Sequence, residues 1–583
     1  MLLRKILRKI KLKVYDQKNI FSEISAKYSL IFSILVLSII TINFGFNKLL
    51  FKELNNSFIL ISSVFYCFIF FFKSILYINI LSFIKKNILL FLIILFILLD
   101  IIRIFFHDLS LYNQEYRDLF FLFINFYFFF RSLKVIIKQK PLNNNKQVSP
   151  IKLLILSFAT LISIGTILLM MPEISSKNNS ISFFDALFTS ISASCVTGLT
   201  VLDTASAFSE KGHMIIMGLI QLGGINIIVF ATFFALFSRA GGGIKQQQII
   251  SENFNSKTLL SGKSLLKKVL IFSILIEIVG ALLILSLTNF DSNENKIFDS
   301  LFHSVSAFNN AGFTISNYFE NSINLKLILS TLIFLGAIGF PTLNDLSKNI
   351  SVYKKLKWTK LHLTTRISLV TSFSLIIFGA ITFIIFEANI SKGSSIEKIV
   401  DGIFHSTSTR TAGFNSIDFS DFSNYATLLI FIFLMFIGAS PGSTGGGIKT
   451  NTFTLMLYSA LATIRGKKNI EIGKRSISQS LIHKSYVIFL FSLLIVFFGW
   501  TLLLISEKNI IDPINLLFEQ VSAFSTVGLS VGETTNNLSF SGKIIIMITM
   551  FLGRIGTLLM AFSLMQKKQK ANYQFPEAHL MVG

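Results

Sequence analysis

Long apolar runs separated by short polar gaps set the pattern of this chain. A helix needs ~20 apolar residues to cross a bilayer, where no water satisfies a free backbone group. Four candidate spans occupy 28–47, 56–77, 87–106 and 118–137. A polar stretch, KQKPLNNNKQVSP, follows and reads as a linker. Eight further spans lie at 151–171, 214–238, 267–289, 326–343, 367–388, 425–440, 485–506 and 543–565. The pattern predicts an all-α polytopic membrane protein.

The gaps alternate in charge. One holds Arg239, Lys245, Lys257, Lys263, Lys267 and Lys268; the next holds Lys348, Lys354, Lys355, Lys357, Lys360 and Arg366. A third holds Arg465, Lys467, Lys468, Lys474, Arg475 and Lys484. Lys and Arg gather in cytoplasmic loops, so these gaps, the linker and both termini are expected inside. Two of the intervening gaps lean acidic, with Glu173, Asp185, Asp203 and Glu210 in one and Asp418 and Asp421 in another.

Composition agrees. Of 583 residues, 52% are hydrophobic and 14% charged. A soluble domain carries roughly 25% charged residues, which excludes an ordinary cytosolic enzyme; the hydrophobicity excludes a disordered basic tail protein. The net charge of +24 is divided by the membrane and offers no single field to nucleic acid. Residues 1–27 begin MLLRKILRKIKLK, an amphipathic basic segment suited to a membrane surface, and the first apolar run is too long for a signal peptide. Cys67 and Cys195 are too few and too far apart for a zinc tetrad or a disulfide framework.

The outward gaps repeat one motif: FFDALFTSISASCVTGLTV (183–201), IFDSLFHSVSAFNNAGFTI (297–315), IVDGIFHSTSTRTAGFNSI (399–417) and INLLFEQVSAFSTVGLSV (514–531). Its glycines, Gly198, Gly312, Gly413 and Gly528, recur at intervals of 114, 101 and 115 residues. A span–gap–span unit therefore occurs four times, over 151–240, 265–345, 366–460 and 484–566, which predicts a pseudo-symmetric assembly. The fold expected is four such repeats around a central ion pore, preceded by a four-helix module over 28–140 and followed by a tail, 567–583.

Asp185, Asp299, Asp401 and Asn515 each stand three residues before Phe188, Phe302, Phe404 and Phe518, and are expected to N-cap a half-helix too short to span. Glycine at its end lets backbone carbonyls turn toward a common axis. Four such loops would make a ring of oxygens able to replace a cation's hydration shell, with four helix C-termini aimed at it. The ring would comprise Val196, Thr197 and Gly198; Asn310, Ala311 and Gly312; Thr411, Ala412 and Gly413; and Thr526, Val527 and Gly528.

From about residue 150 onward the chain resembles the Trk/Ktr/HKT potassium transporters, most closely the Ktr-type membrane subunit. STRTAGFN (408–415) is close to the family's third filter, and GASPGSTGGGIKT (438–450) is similar to its intramembrane gating loop. FLGRIGTLL (551–559) matches the fourth-repeat inner helix, and YQFPEAHLMVG the C-terminus. The resemblance implies K+ uptake across a bacterial plasma membrane by a homodimer, under a cytosolic nucleotide-binding regulatory subunit. It also implies K+ rather than Na+ preference, because Na+-favouring relatives often carry serine at the position of Gly198. A Na+ or K+/Na+ cotransporting relative is the alternative, with Na+ as stimulating or co-ion. The chain departs from the family pattern at Asn226 and in its four N-terminal spans.

Other residues invite chemistry. Gly442 to Lys449 superficially suggest a phosphate-binding loop, but Ile448 intrudes between Gly447 and Lys449. Pro441 and the run Gly438, Gly442, Ser443, Thr444, Gly445, Gly446, Gly447 should instead break the span into a flexible plug, a gate that includes Lys449. Arg554 is a charge within an apolar span; the resemblance places it as a pore arginine near that gate. Arg410 is placed either to brace the third loop or to touch the ion. His303 and His405 share one slot, and a membrane-embedded enzyme built on them is the alternative from another class; no ligand spacing supports it. Arg131, Lys134 and Lys138, with Asp100 and Arg103, faintly resemble a voltage sensor, against an ordinary cytoplasmic anchor. The basic inner loops suit a regulatory subunit and anionic lipids.

Overall fold

The structure is a computed structural model that describes residues 24–42, 44–46, 61–72, 74, 87–105, 121, 123–129, 131–132, 150–176, 180–237, 262–287, 295–316, 322–387, 390, 394–467, 469–472, 475–508 and 510–556. The basic N-terminal segment, the polar linker, Lys134, Lys138 and the C-terminal motif lie outside the described residues, as do the side chains of Asp100, Arg103 and Asn226. The chain divides into two compact units, one chiefly of residues 1–147 and one of nearly all the rest.

The first unit contains helices Ile24–Ile42, Ile61–Phe72 and Ile88–Phe105, with further helix over 123–129. Val36, Ile40, Tyr66, Leu90, Ile94, Ile97, Phe121, Ile124 and Phe128 form its core. The Tyr66 ring stacks on Phe128 at 3.8 Å, and its hydroxyl donates to Asn125 Oδ1 at 2.8 Å. A buried hydroxyl in an apolar bundle is tolerable because a partner is built beside it. Arg131 is held locally, donating to Tyr127 Oη and to Asn87 Oδ1.

The second unit is built of four triplets: outer helix, half-helix and inner helix. They are Pro150–Leu169, Phe183–Cys195 and Glu210–Phe237; Gly262–Leu287, Lys296–Asn309 and Ile323–Ala337; Leu363–Glu387, Ser395–Ser408 and Tyr425–Phe436; and Gln479–Glu507, Pro513–Ser525 and Phe540–Ile555. Each half-helix packs on the inner helix of the preceding repeat, and the first packs on the inner helix of the fourth, so the cycle closes. Outer helices turn Ile271, Ile274, Leu275, Ile278, Leu282, Val370, Phe373 and Ile377 outward as exposed apolar surface, the face a lipid bilayer covers.

Small residues set the packing distance, as expected where helices meet without a hydrophobic driving force between them. Outer-helix glycines Gly165, Gly280 and Gly379 lie against Ser190, Ser304 and Ser406; a Cβ on each would come within 2.4 Å of the serine Oγ. Those serines donate to the carbonyls of Ile162, Glu277 and Ile376. Inner-helix glycines Gly223, Gly336 and Gly553 are pressed on the backbone of Ser194, Phe308 and Phe524.

Two expectations from the sequence are corrected. The segment 326–343 is not one span. It breaks at Gly339, where φ is +83°, into Ile323–Ala337 and Phe340–Tyr353, bent by 97°, because Pro341 in the first turn of the second helix cannot continue the first. Nor do Asp185, Asp299, Asp401 and Asn515 cap the half-helices. The helices start two to six residues earlier, after Ser182, Asn295, Ser394 and Asp512. Ser394 and Glu397 make a reciprocal capping box; Ser182 Oγ accepts from the Asp185 amide and donates to its carboxylate; and Pro513 pre-sets the first turn of the fourth helix. Asp401 instead meets Lys326 Nζ of the neighbouring repeat at 2.6 Å, a buried ion pair.

Candidate functional site

The half-helices of repeats 1, 2 and 4 end alike. Val196, Asn310 and Thr526 adopt left-handed backbone with φ of +57°, +60° and +51°. Their amides bond to Ala193, Ala307 and Ala523, and the next amides, of Thr197, Ala311 and Val527, reach back to Ser192, Ser306 and Ser522. This is the double-bonded terminus usually made with glycine; here a β-carbon is tolerated and the chain turns sharply toward the axis. Repeat 3 arrives differently. Its helix runs to Ser408, Thr411 takes φ +77°, and the amides of Ala412 and Gly413 both return to the Ser408 carbonyl.

Two residues past each turn stands the glycine in three repeats, and in the third as well relative to Thr411. Gly198, Gly312, Gly413 and Gly528 have φ between +72° and +95°. They meet in order. A Cβ on Gly198 would lie 2.4 Å from the Ala311 carbonyl oxygen, one on Gly312 2.7 Å from that of Ala412, one on Gly413 2.3 Å from that of Val527, and one on Gly528 2.1 Å from that of Thr197. Four carbonyls thus alternate with four glycines in a closed ring, and a side chain at any of the four would both strain the backbone and collide.

A hydroxyl near the end of each half-helix braces this backbone. Ser192 and Ser522 accept from the amides of Gly198 and Gly528 at 3.1 Å, and Ser306 and Ser408 donate to the carbonyls of Phe313 and Phe414. These four serines were not among the residues singled out above, although the S-A-x-x-x-x-G spacing in three of the four repeats carries the signal.

The segment 437–449 lies against one end of the ring. The helix of repeat 3 stops at Phe436, after 12 residues, and the chain resumes as helix only at Thr450. Between them, a Cβ on Gly445 would meet Thr411 Oγ1 at 2.1 Å, and one on Gly446 would meet Thr526 Oγ1 at 2.5 Å. The Thr444 hydroxyl lies 3.3 Å from Asn310 Oδ1. All three contacts are to the first ring residue of a repeat, the end nearest the half-helix C-termini. Gly447 packs on Gly438, Ser443 is buried, and Lys449 Nζ donates to the Gly445 carbonyl at 2.6 Å. The break in repeat 2 docks on this loop: the Phe340 amide donates to Gly442, and the Ser440 amide to Ala337.

Two buried guanidinium groups hold the loop. Arg554 donates to the Thr444 carbonyl and, at 2.8 Å, to that of Gly223, so it ties the loop to inner helices of repeats 4 and 1. Arg410 donates to the carbonyls of Ser372 and Gly438. Its side chain thus joins the third ring segment to the outer helix of repeat 3 and to the start of the 437–449 loop. Backbone carbonyls accept the bonds that a buried guanidinium must make. His303 and His405 do not meet: His303 Nδ1 pairs with the Asp299 carbonyl, while His405 stacks on Phe383 and lies 3.2 Å from Ser416 Oγ. Among the described residues no cluster of His, Cys, Asp and Glu could hold a metal ion.

Comparison with known proteins bears on this geometry. Residues 117–573 match the TrkH family, described as cation transport protein. The chain is 38% identical over 445 residues to Ktr system potassium uptake protein D of Bacillus subtilis, across 75% of this chain and 98% of that protein. It is 34% identical over 451 residues to the potassium/sodium uptake protein NtpJ of Enterococcus hirae, across 75% and 98%. Among solved structures, the potassium transporter TrkH from Vibrio parahaemolyticus has the same fold, with a TM-score of 0.59 at 20% identity, covering 76% of this chain and 91% of that one.

Proposed function

This chain belongs to the TrkH family of cation transport proteins, and we propose from that membership and from the glycine ring that it carries potassium ions into the cell across the membrane. The single observation that carries the mechanism is the closed succession Gly198, Gly312, Gly413, Gly528, each against the carbonyl preceding the next. Potassium sheds water where backbone oxygens replace its hydration shell. The ligands would be the carbonyls of Val196–Gly198, Asn310–Gly312, Thr411–Gly413 and Thr526–Gly528. Helix C-termini facing the ring add negative potential, and non-helical backbone at that depth is stable because it lines the path.

Below the ring, the loop from Gly438 to Lys449 acts as the gate. With Gly445 and Gly446 against Thr411 and Thr526, it blocks the exit for a dehydrated ion. The Arg554 charge beneath the ring repels cations, and its bond to Thr444 holds the loop closed. Opening requires that bond to break, and glycine gives the loop the backbone freedom to move.

The protein is a multi-pass membrane protein, and we place it in a bacterial plasma membrane with both termini cytoplasmic, from the basic inner gaps. Its relatives include components of Ktr systems, which supports work alongside other subunits. The arrangement proposed is a homodimer regulated by a cytosolic nucleotide-binding subunit, with anionic lipids at the basic loops. Sodium as co-ion is a second reading, favoured by the likeness to a potassium/sodium uptake protein.

Ion-substituted flux through the purified chain in liposomes tests the proposal. K+ flux that exceeds Na+ flux and responds to a nucleotide-binding partner supports it. Equal flux of both ions, or none, would sink the filter assignment.

A further inference from the structure

The four repeats share a slot three residues before the outer-helix glycine. It holds Ile162, Ile376 and Val496 in repeats 1, 3 and 4, but Glu277 in repeat 2. A second slot, two residues before the inner-helix glycine, holds Phe334, Phe436 and Phe551 in repeats 2, 3 and 4, but Gln221 in repeat 1. Both polar substitutions fall at one seam, where the first inner helix meets the second repeat. The fold itself is built with aliphatic and aromatic residues at these slots elsewhere, so packing does not ask for either.

The two residues meet there. Glu277 is 5% exposed within a helix whose apolar stretch has a mean hydropathy of 2.7. Its Oε1 accepts from Ser273 Oγ at 2.8 Å and from Asn309 Nδ2 at 3.2 Å, and its Oε2 from Gln221 Nε2 at 3.1 Å. Asn309 Nδ2 also donates to Gln221 Oε1 at 2.7 Å. Asn309 is the last residue of the half-helix and is bonded directly to Asn310, the first residue of the ring in that repeat. On its other side the Asn309 amide is stopped by the backbone at Gly224, where a Cβ would lie 2.1 Å from Oδ1. A carboxyl group at membrane depth is costly and marks function by default.

We propose that Glu277 is a positioning residue for ion selectivity. Acting through Asn309 and Gln221, its carboxyl group fixes the register of Asn310–Gly312 between Gly198 and Gly413, and with it the preference for K+ over Na+. The inference rests on the reading of the ring as a K+ filter. One quarter of the ring is thereby held through a carboxyl–amide network, whereas aliphatic and aromatic side chains occupy the same two slots elsewhere; an ion site tolerates only a fraction of an ångström of slack.

The test is the K+/Na+ flux ratio of the full chain in liposomes. Glu277→Gln places an amide donor against the donors of Asn309 and Gln221, and Glu277→Ile installs the residue of repeats 1 and 3. Each should lower the ratio about tenfold. Adding Asn309→Asp to Glu277→Gln restores a carboxyl–amide pair with the roles exchanged, and should recover most of the loss. Where Glu277→Gln fails to reach the membrane, Ser273→Ala removes one donor and should give about a threefold fall. A ratio unchanged in these variants overturns the proposal, and so does a loss that the exchanged pair does not reduce, since that marks a packing defect. A wild-type chain with no K+ preference would instead overturn the filter reading.

Discussion

Serine at position 198 has no room. Its Cβ would press on the Ala311 carbonyl, and φ of +95° is a conformation only glycine adopts without strain. Gly198→Ser should displace that carbonyl from the ring and lower the K+/Na+ flux ratio at least about tenfold, equivalent to ~1.4 kcal/mol. An unchanged ratio in ion-substituted flux would count against the ring as a filter. Arg554 makes the opposite kind of prediction. Arg554→Gln removes the charge and weakens the bond to the Thr444 carbonyl, so K+ flux without the regulatory subunit should rise several-fold; flux that falls or stays level refutes the clasp. The glycines were legible in the sequence because their motif recurs four times in the outward gaps, and Arg554 because it is a charge within an apolar span. The bracing serines were not, because a serine inside a helix looks like any other small residue until its partner, six or seven residues on, folds back.

Element boundaries were less legible. Apolar runs point to helices, but they do not say where an apolar helix breaks. The bend at Gly339 is decided by Pro341 and by the loop of repeat 3 that docks on it, a contact some 100 residues distant in sequence. The caps failed for a related reason: Asp and Asn are good caps wherever they stand, and only the structure shows that Ser182, Asn295, Ser394 and Asp512 come first. Deleting 442–447 should raise K+ flux or abolish its regulation, since those residues underlie the ring. Flux that is unchanged in both respects would show that the loop is not a gate. Outer helices also cap inner ones. Glu387 ends the outer helix of repeat 3 and accepts from the amides of Ser423 and Asn424 and the hydroxyls of Ser423 and Thr427 at the start of the inner helix. Glu387→Ala should destabilise the protein by ~2–4 kcal/mol, seen as a lower melting temperature in detergent with the K+/Na+ ratio retained.

At the scale of the whole molecule, polar contacts also cross the seams between repeats. Lys326 and Asp401 join the inner helix of repeat 2 to the half-helix of repeat 3. Removing one partner leaves a buried charge, so Lys326→Met should cost ~3–5 kcal/mol, whereas Lys326→Met with Asp401→Leu should recover much of it. Thermal unfolding of the two variants in detergent decides the matter; equal losses would mean that the pair contributes nothing of its own. The sequence by itself determined the class of this protein, an apolar chain whose alternate polar gaps are basic, and the four-fold repetition of a glycine-ended half-helix. Those features are local or periodic, and periodicity survives without coordinates. Only the tertiary structure decided that the four glycines close into one ring, that Arg554 reaches Thr444 and Gly223, and that Glu277 and Gln221 meet at one seam. Each of those contacts joins residues far apart in the chain, and what brings them together is the packing of each half-helix on the inner helix of the repeat before it.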